Sequence, residues 1–189
     1  MKVFLGGFWD PYRAKRYADE SIELGQLLGA GGHDLYVGPG SGIIKYVLEG
    51  FSPQADRGKI IYYIPQTKDL IKYGEDIGDF ADQTVHLQGH YTERIIQIAQ
   101  QTDAYVAIGG AAGTLYEMTT MMFLKKPVAM MTDTGSASNA ARFLGGLRNY
   151  YFEGNTAQEL VEYIEGAMIE TNVPEDGIDW YGEEISSKL

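Results

Sequence analysis

The chain has 189 residues, enough for one domain with a substantial core, and its hydrophobic share of 44% is that of a globular protein. Its 26 acidic against 15 basic residues leave a formal net charge of -11, which argues against nonspecific nucleic-acid binding and against docking on anionic membranes. There is no cysteine, so disulfides, thiolate catalysis and cysteine-ligated metals are excluded.

Val3-Phe4-Leu5 reads as a short buried strand stopped by Gly6-Gly7. A helical pattern over 11–28 follows, with Asp10 as N-cap, Pro11 at the first position, and Tyr17, Ile22, Leu24, Leu27 and Leu28 on its apolar face. Gly29, Gly31 and Gly32 end it. Asp34-Leu35-Tyr36-Val37 is a second strand, Gly38-Pro39-Gly40-Ser41-Gly42 a glycine turn, and 43–49 a short helix. A third strand covers 59–64 and closes at Pro65; 66–83 is polar, with a short helix and a loop. A strand at 84–87 precedes a helix at 91–101, with Ile95, Ile96, Ile98 and Ala99 as its apolar positions. Two further buried strands are read at 104–108 and 127–131. The stretch 156–169 is an amphipathic helix with Leu160, Val161, Ile164 and Met168 inward. From Asn172 the chain is acidic, carries Trp180 and Tyr181, and reads as a tail or packed arm. The expected organisation is therefore one domain over 1–171 and this segment over 172–189, with no internal repeat or linker.

Strands separated by helices imply a mostly parallel sheet covered on both faces, and right-handed crossovers make it a Rossmann-like, doubly wound α/β domain. Ligands in that architecture sit beyond the carboxyl ends of the strands. Four features are expected on that rim: Gly6-Gly7, the Gly38 to Gly42 turn, the helix bearing Arg94, and the stretch from Gly109 to Glu117.

His33, His86 and His90 form no metal-ligand motif, and no metal or other cofactor is expected. No signal-peptide pattern is read at Met1-Lys2-Val3-Phe4-Leu5, and no apolar run approaches the roughly 20 residues of a membrane span. A cytoplasmic protein is the expectation.

Gly109-Gly110-Ala111-Ala112-Gly113-Thr114-Leu115-Tyr116-Glu117 is the most informative segment. It lies between the apolar run 104–108 and a helical pattern from Met118, an order of strand, glycine-rich turn and helix start. Free backbone N–H groups and the helix dipole favour an anion there, and Thr114 adds a hydroxyl donor. Glu117 is placed in the first helical turn, beside the same mouth. A phosphate cradle with an adjacent acid suggests a phosphorylated substrate handled by a carboxylate. A sharp turn and a dipole-complementing glutamate explain the same residues without a ligand. Arg94 alone reads as a helix-surface residue pairing with Glu93 or Gln97. Phe8-Trp9-Asp10-Pro11-Tyr12 serves either to stack on a base or as a hydrophobic clasp for the first helix. Asp133, Ser136, Ser138 and Asn139 are rim residues or helix caps, and Met118, Met121 and Met122 are core or dimer contacts.

Taken together, these segments resemble the LONELY GUY proteins, also called lysine decarboxylase-like, within the SLOG group of Rossmann-like nucleotide-binding proteins. The family pattern P-G-G-x-G-T-x-x-E falls on Gly109 to Glu117. The earlier Y-G-G-G-x-x-G-L-M-G is echoed by Val37-Gly38-Pro39-Gly40-Ser41-Gly42-Ile43, and M-H-x-R-K falls on Tyr91-Thr92-Glu93-Arg94-Ile95. The resemblance spans roughly residues 2 to 170 in order and spacing.

The resemblance implies a nucleoside 5'-monophosphate phosphoribohydrolase, which cleaves the N-glycosidic bond to free base and ribose 5-phosphate without metal. Its catalytic residues would be Arg94 and Glu117. Phosphate or nucleotide binding would fall to Gly6, Gly7, Gly38, Gly40, Ser41, Gly42 and the run Gly109, Gly110, Ala111, Ala112, Gly113, Thr114. The partner would be a nucleoside monophosphate or related phosphorylated small molecule, with no nucleic acid and no membrane. Family members pair through helices near the glycine motif, which implies a homodimer. No pyridoxal-phosphate lysine context supports a decarboxylase.

The chain departs from the family pattern at three places. Gly109 and Ala111 stand for the motif's proline and second glycine, and Thr92 and Ile95 for its histidine and lysine. The early turn is one residue short and carries Pro39, which lacks an N–H donor. These departures favour the alternative of a non-catalytic binding protein, either a nucleotide sensor or a carrier of a phosphorylated cofactor like the molybdenum-cofactor carriers.

Overall fold

The computed structural model describes residues 1–73, 78–142 and 150–169. The segment 172–189, expected as a tail or arm, and the side chain of Met168 lie outside the described residues.

Seven strands form one parallel sheet: β1 Lys2–Gly7, β2 Asp34–Val37, β3 Ile60–Ile64, β4 Gln83–His86, β5 Ala104–Ile108, β6 Val128–Met131 and β7 Tyr151–Gly154, in the spatial order β4-β3-β2-β1-β5-β6-β7. The helices are α1 Pro11–Ala14, α2 Ala18–Ala30, α3 Ile43–Phe51, α4 Thr67–Tyr73, α5 Tyr91–Gln101, α6 Ala112–Phe123, α7 Ser136–Ala141 and α8 Ala157–Ile169, with a 3₁₀ turn at Lys15–Tyr17. This is the expected Rossmann-like α/β architecture.

Strand alternation sorts the core into two layers. Val3, Leu5, Leu35, Ile60, Val106 and Ile108 face α2, α3 and α8, packing on Leu24, Leu28, Val47, Phe51 and Leu160. Phe4, Ile61, Tyr63, Tyr105 and Ala107 face the other way, onto Ile95 and Ile98 of α5 and Met118, Met121 and Met122 of α6. The three methionines are fully buried within this layer. The topology also sets the site. The chain winds outward from β1 through β4, then returns to lay β5 on the other side of β1. The ends of β1 and β5 therefore diverge into opposite crossovers, and a crevice opens above them.

Several expectations change. Gly6 and Gly7 do not stop β1; both belong to it and pair with Ala107 and Ile108 of β5. The helix expected over 11–28 is interrupted at the 3₁₀ turn, where Tyr17 leaves helical geometry at φ -122°, ψ 26°. Glu117 is in the second turn of α6, because that helix starts at Ala112 and not near Met118. The short edge strand β7 and the six-residue α7 had no periodic signal to announce them.

Candidate active site

Above the β1–β5 crevice lies a cavity of about 610 Å³. Its walls include Gly6, Gly7, Gly38, Pro39, Ser41, Arg94, Ala111, Ala112, Gly113, Thr114 and Glu117, so all four rim features expected from the sequence reach it. Gly40, Gly42, Gly109 and Gly110 are not among its walls. Gly42 packs on the Phe8 carbonyl, Gly109 lies beneath the Phe8 ring, and the Gly110 carbonyl accepts from the Ala137 N–H at 3.4 Å.

Arg94 and Glu117 come from different helices and meet at the cavity floor. The Arg94 Nη2 to Glu117 Oε1 distance is 3.5 Å, and the two residues are 4% and 9% exposed. Arg94 is thus buried by the site, not a surface partner of Glu93 or Gln97. Its guanidinium lies 4.1 Å from the centroid of the Tyr91 ring, while its Nε has no hydrogen-bond partner among the described residues. Gly38 makes this position possible: a Cβ there would come 1.8 Å from Arg94 Nη1.

Glu117 Oε2 accepts a hydrogen bond from the Tyr105 hydroxyl at 2.9 Å. Burial, then the charge and hydrogen bond of Glu117, push the Tyr105 phenol well above its ordinary value, partly offset by Arg94, so it stays a protonated donor. Gly6 clears the slot for this contact, since a Cβ there would lie 1.9 Å from the Tyr105 hydroxyl oxygen. Sequence reasoning missed Tyr105, which sits inside the apolar run of β5 with nothing to distinguish its hydroxyl. The usable signal was parity: Tyr105 points to the same face of the sheet as α5 and α6.

At the mouth, α6 begins without a side-chain cap. Its first internal bond runs from the Leu115 N–H to the Ala111 carbonyl at 2.9 Å, so the N–H groups of Ala112, Gly113 and Thr114 precede the ladder. They line an anion-compatible end of a twelve-residue helix. Ala111, Ala112 and Gly113 are exposed, and a Cβ on Gly113 would meet nothing within 4 Å. The Thr114 hydroxyl, read from the sequence as a phosphate donor, donates here to the Gly7 carbonyl at 3.3 Å. The Ser41 hydroxyl oxygen, in the opposite wall, is buried without a partner among the described residues. Gly109 and Gly110 leave β5 at φ +70° and +105°. Proline cannot adopt that course, so Gly109 in place of the motif's proline gives this turn a backbone of its own. Thr134 fixes it by accepting the Gly109 N–H at 2.7 Å.

A protein of Oryza sativa subsp. japonica named "Probable cytokinin riboside 5'-monophosphate phosphoribohydrolase" is 27% identical over 186 residues, spanning 87% of this chain and 83% of that protein. In sequence the chain is similar to proteins of the LONELY GUY type. Two further rice proteins of the same printed activity are 34% and 26% identical over 110 and 155 residues; these alignments cover 44% and 57% of their lengths, about half of each. No protein-family model matches the chain. Among solved structures, the structural-genomics protein TM1055 superposes with a TM-score of 0.75 at 23% identity, over 87% of this chain and 98% of that one. The molybdenum cofactor binding protein from Rippkaea orientalis gives 0.68 at 19% identity, over 88% and 96%. A Moco carrier protein from Chlamydomonas reinhardtii gives 0.72 at 18%, over 89% and 98%. These likenesses establish the shared fold.

Proposed function

We propose that the protein is a nucleoside 5'-monophosphate phosphoribohydrolase, acting at the Arg94–Glu117 pair. The observation that carries this reading is the burial of that pair, 3.5 Å apart, in the floor of a cavity whose rim is the open N-terminus of α6. The named activity of the rice relatives supports it.

The 5'-phosphate would lie against the N–H groups of Ala112, Gly113 and Thr114, with Ser41 offering a hydroxyl from the facing wall. Hydrolysis adds water across the C1'–N bond. The bonding electron pair leaves with the base, and the water oxygen bonds to C1'. One water proton reaches the base nitrogen and the other stays on the new anomeric hydroxyl. Positive charge develops on the ribose as the bond breaks, and the Glu117 carboxylate is the group to stabilise it and to orient water or ribose hydroxyls. Arg94 holds Glu117 by charge, and Tyr105 holds its other oxygen. Phosphate anchoring supplies remote binding energy for orienting the reacting bond.

A homodimer is part of this reading. Ile96 on α5 and Tyr116 and Phe123 on α6, with Leu124 just beyond, are exposed large apolar side chains around one cleft. They offer a face for a second copy, and family members pair through helices of this region.

The second reading is a carrier or sensor that binds a phosphorylated ligand without turnover. It is favoured by the altered Gly109 turn and by the fold shared with molybdenum-cofactor carriers. Incubation with separate nucleoside 5'-monophosphates, followed by chromatography, distinguishes the two. Free base and ribose 5-phosphate in equal amounts are expected. A nucleotide-induced rise in melting temperature without any release would favour the carrier.

A further inference from the structure

The arginines of the described residues fall into two groups. Arg57, Arg94 and Arg142 each face a carboxylate, at 2.6 Å from Asp82, 3.5 Å from Glu117 and 2.9 Å from Glu153. Arg13 and Arg16 have no carboxylate partner among the described residues, in a chain with 26 acids. Both sit over aromatic rings, as Arg57 and Arg94 also do: Arg13 lies 5.9 Å from the Phe8 centroid and Arg16 lies 6.0 Å from the Tyr12 centroid. Phe8 in turn stacks on Tyr17 at 6.3 Å.

These side chains line a second cleft, of about 410 Å³, with Thr134 as its remaining wall. Phe8 and Arg13 also line the 610 Å³ cavity, so the two spaces adjoin at these residues. The spacing of the arginines is three residues, across α1 and the 3₁₀ turn, which brings them to one side of that segment. A guanidinium resting on a ring, with no carboxylate among the described residues to neutralise it, has its planar fork available for a bidentate contact to phosphate. Two such groups beside a ligand cavity form a locally positive rim on an acidic protein. The α6 N-terminus already accounts for one phosphate, and the outer cleft has no role in binding a nucleoside monophosphate.

We propose that the outer cleft is a second phosphate subsite, formed by Arg13 and Arg16, which takes the second phosphate of a nucleotide carrying two phosphate groups. This rests on the reading of the main cavity as a nucleotide site. The second phosphate is either joined to the first, as in a nucleoside diphosphate, or carried elsewhere on the ribose, as in a 3',5'-bisphosphate.

Calorimetric titration of the full chain with AMP, ADP and adenosine 3',5'-bisphosphate tests it. Arg16→Gln is the variant of choice, because Arg16, unlike Arg13, lines the outer cleft and not the main cavity. At least one bisphosphorylated nucleotide is expected to bind about tenfold more tightly than AMP, the scale of one charge-assisted phosphate contact. Arg16→Gln should remove that advantage and leave AMP affinity unchanged, and the preferred nucleotide identifies where the second phosphate is attached. Equal binding of all three by the wild type overturns the subsite, as does an advantage that survives Arg16→Gln. Weakening of AMP to the same extent overturns it too, since the arginine would then act only as a general field. If AMP also fails to bind, the nucleotide reading of the main cavity falls, and the subsite with it.

Discussion

The Tyr105 hydroxyl, on a fully buried residue, donates to Glu117 Oε2 at 2.9 Å, and so divides the carboxylate between two holders. Oε2 is bound by a phenol on β5, and Oε1 faces a guanidinium on α5 at 3.5 Å. Glu117, on α6, is thereby fixed by two further elements of the fold, which is the preorganisation an electrostatic role requires.

Tyr105→Phe should therefore keep the packing of the ring against Phe4, 5.1 Å between centroids, and lose the restraint on Glu117. Base release is expected to fall about tenfold or more in kcat with KM little changed, and the buried oxygen left without its donor should cost about 1–2 kcal/mol of stability. Steady-state kinetics and thermal melts of the two proteins check both. Because burial and Glu117 hold the phenol in its protonated form, the wild-type rate should show no alkaline loss from Tyr105 up to about pH 10.

Gly113→Ala separates ligand space from fold space. A Cβ there meets no protein atom within 4 Å, and the residue is in the first turn of α6. Replacing a helical glycine by alanine should raise stability by about 0.5–1 kcal/mol without ligand. The same methyl would stand where a phosphate approaches the Ala112 to Thr114 N–H groups. Nucleotide-induced stabilisation should shrink, and melting curves with and without AMP read both effects. Unchanged stabilisation would move the phosphate away from this helix end.

Much of this arrangement was legible in the sequence. The bounds of β2, α5 and β5 were read as observed, because each is a clean periodic or apolar run closed by Gly, Thr or a polar residue. Arg94 and Glu117 were linked by the family resemblance alone, since no spacing rule joins residues on separate helices. Tyr105 was hidden because a buried tyrosine looks like any other aromatic in an apolar strand. The Gly109 turn was noticed as a departure from the pattern, but its positive φ depends on Thr134 and the Phe8 ring, which are distant in sequence. The edge strand β7 is only four residues long, too short for alternation to register.

The β3–β4 edge carries a pH-dependent clasp. Asp82 accepts from Arg57 at 2.6 and 3.1 Å and from the Ile60 N–H at 2.8 Å, and the hydrogen bond from Arg57 leads in holding its carboxyl below the ordinary value. A lowered folded-state pKa contributes stability above the unfolded value and loses it as pH falls through the folded one. Asp82→Ala should cost about 1 kcal/mol at neutral pH, the scale of a partly exposed ion pair with a backbone bond. Chemical denaturation across pH should show a constant gap between the two proteins down to about pH 5 and a shrinking gap below about pH 4.

The apolar face on α5 and α6 bears on assembly. Phe123 is 63% exposed, the largest exposure among the apolar side chains lining that cleft. Light scattering on the wild type should give twice the chain mass, and Phe123→Glu should give the single-chain mass with an unchanged circular dichroism spectrum. A monomeric wild type at micromolar concentration would remove the homodimer from the account.

The central claim is that Glu117 performs glycosidic hydrolysis on a nucleotide held at the α6 N-terminus. The rate of base release by Glu117→Gln against the wild type, measured with whichever monophosphate the wild type cleaves, tests it most directly. A loss of about a hundredfold or more is expected, the scale of a removed electrostatic or acid–base group, with the nucleotide-induced rise in melting temperature retained. A variant that releases base at the wild-type rate would contradict it.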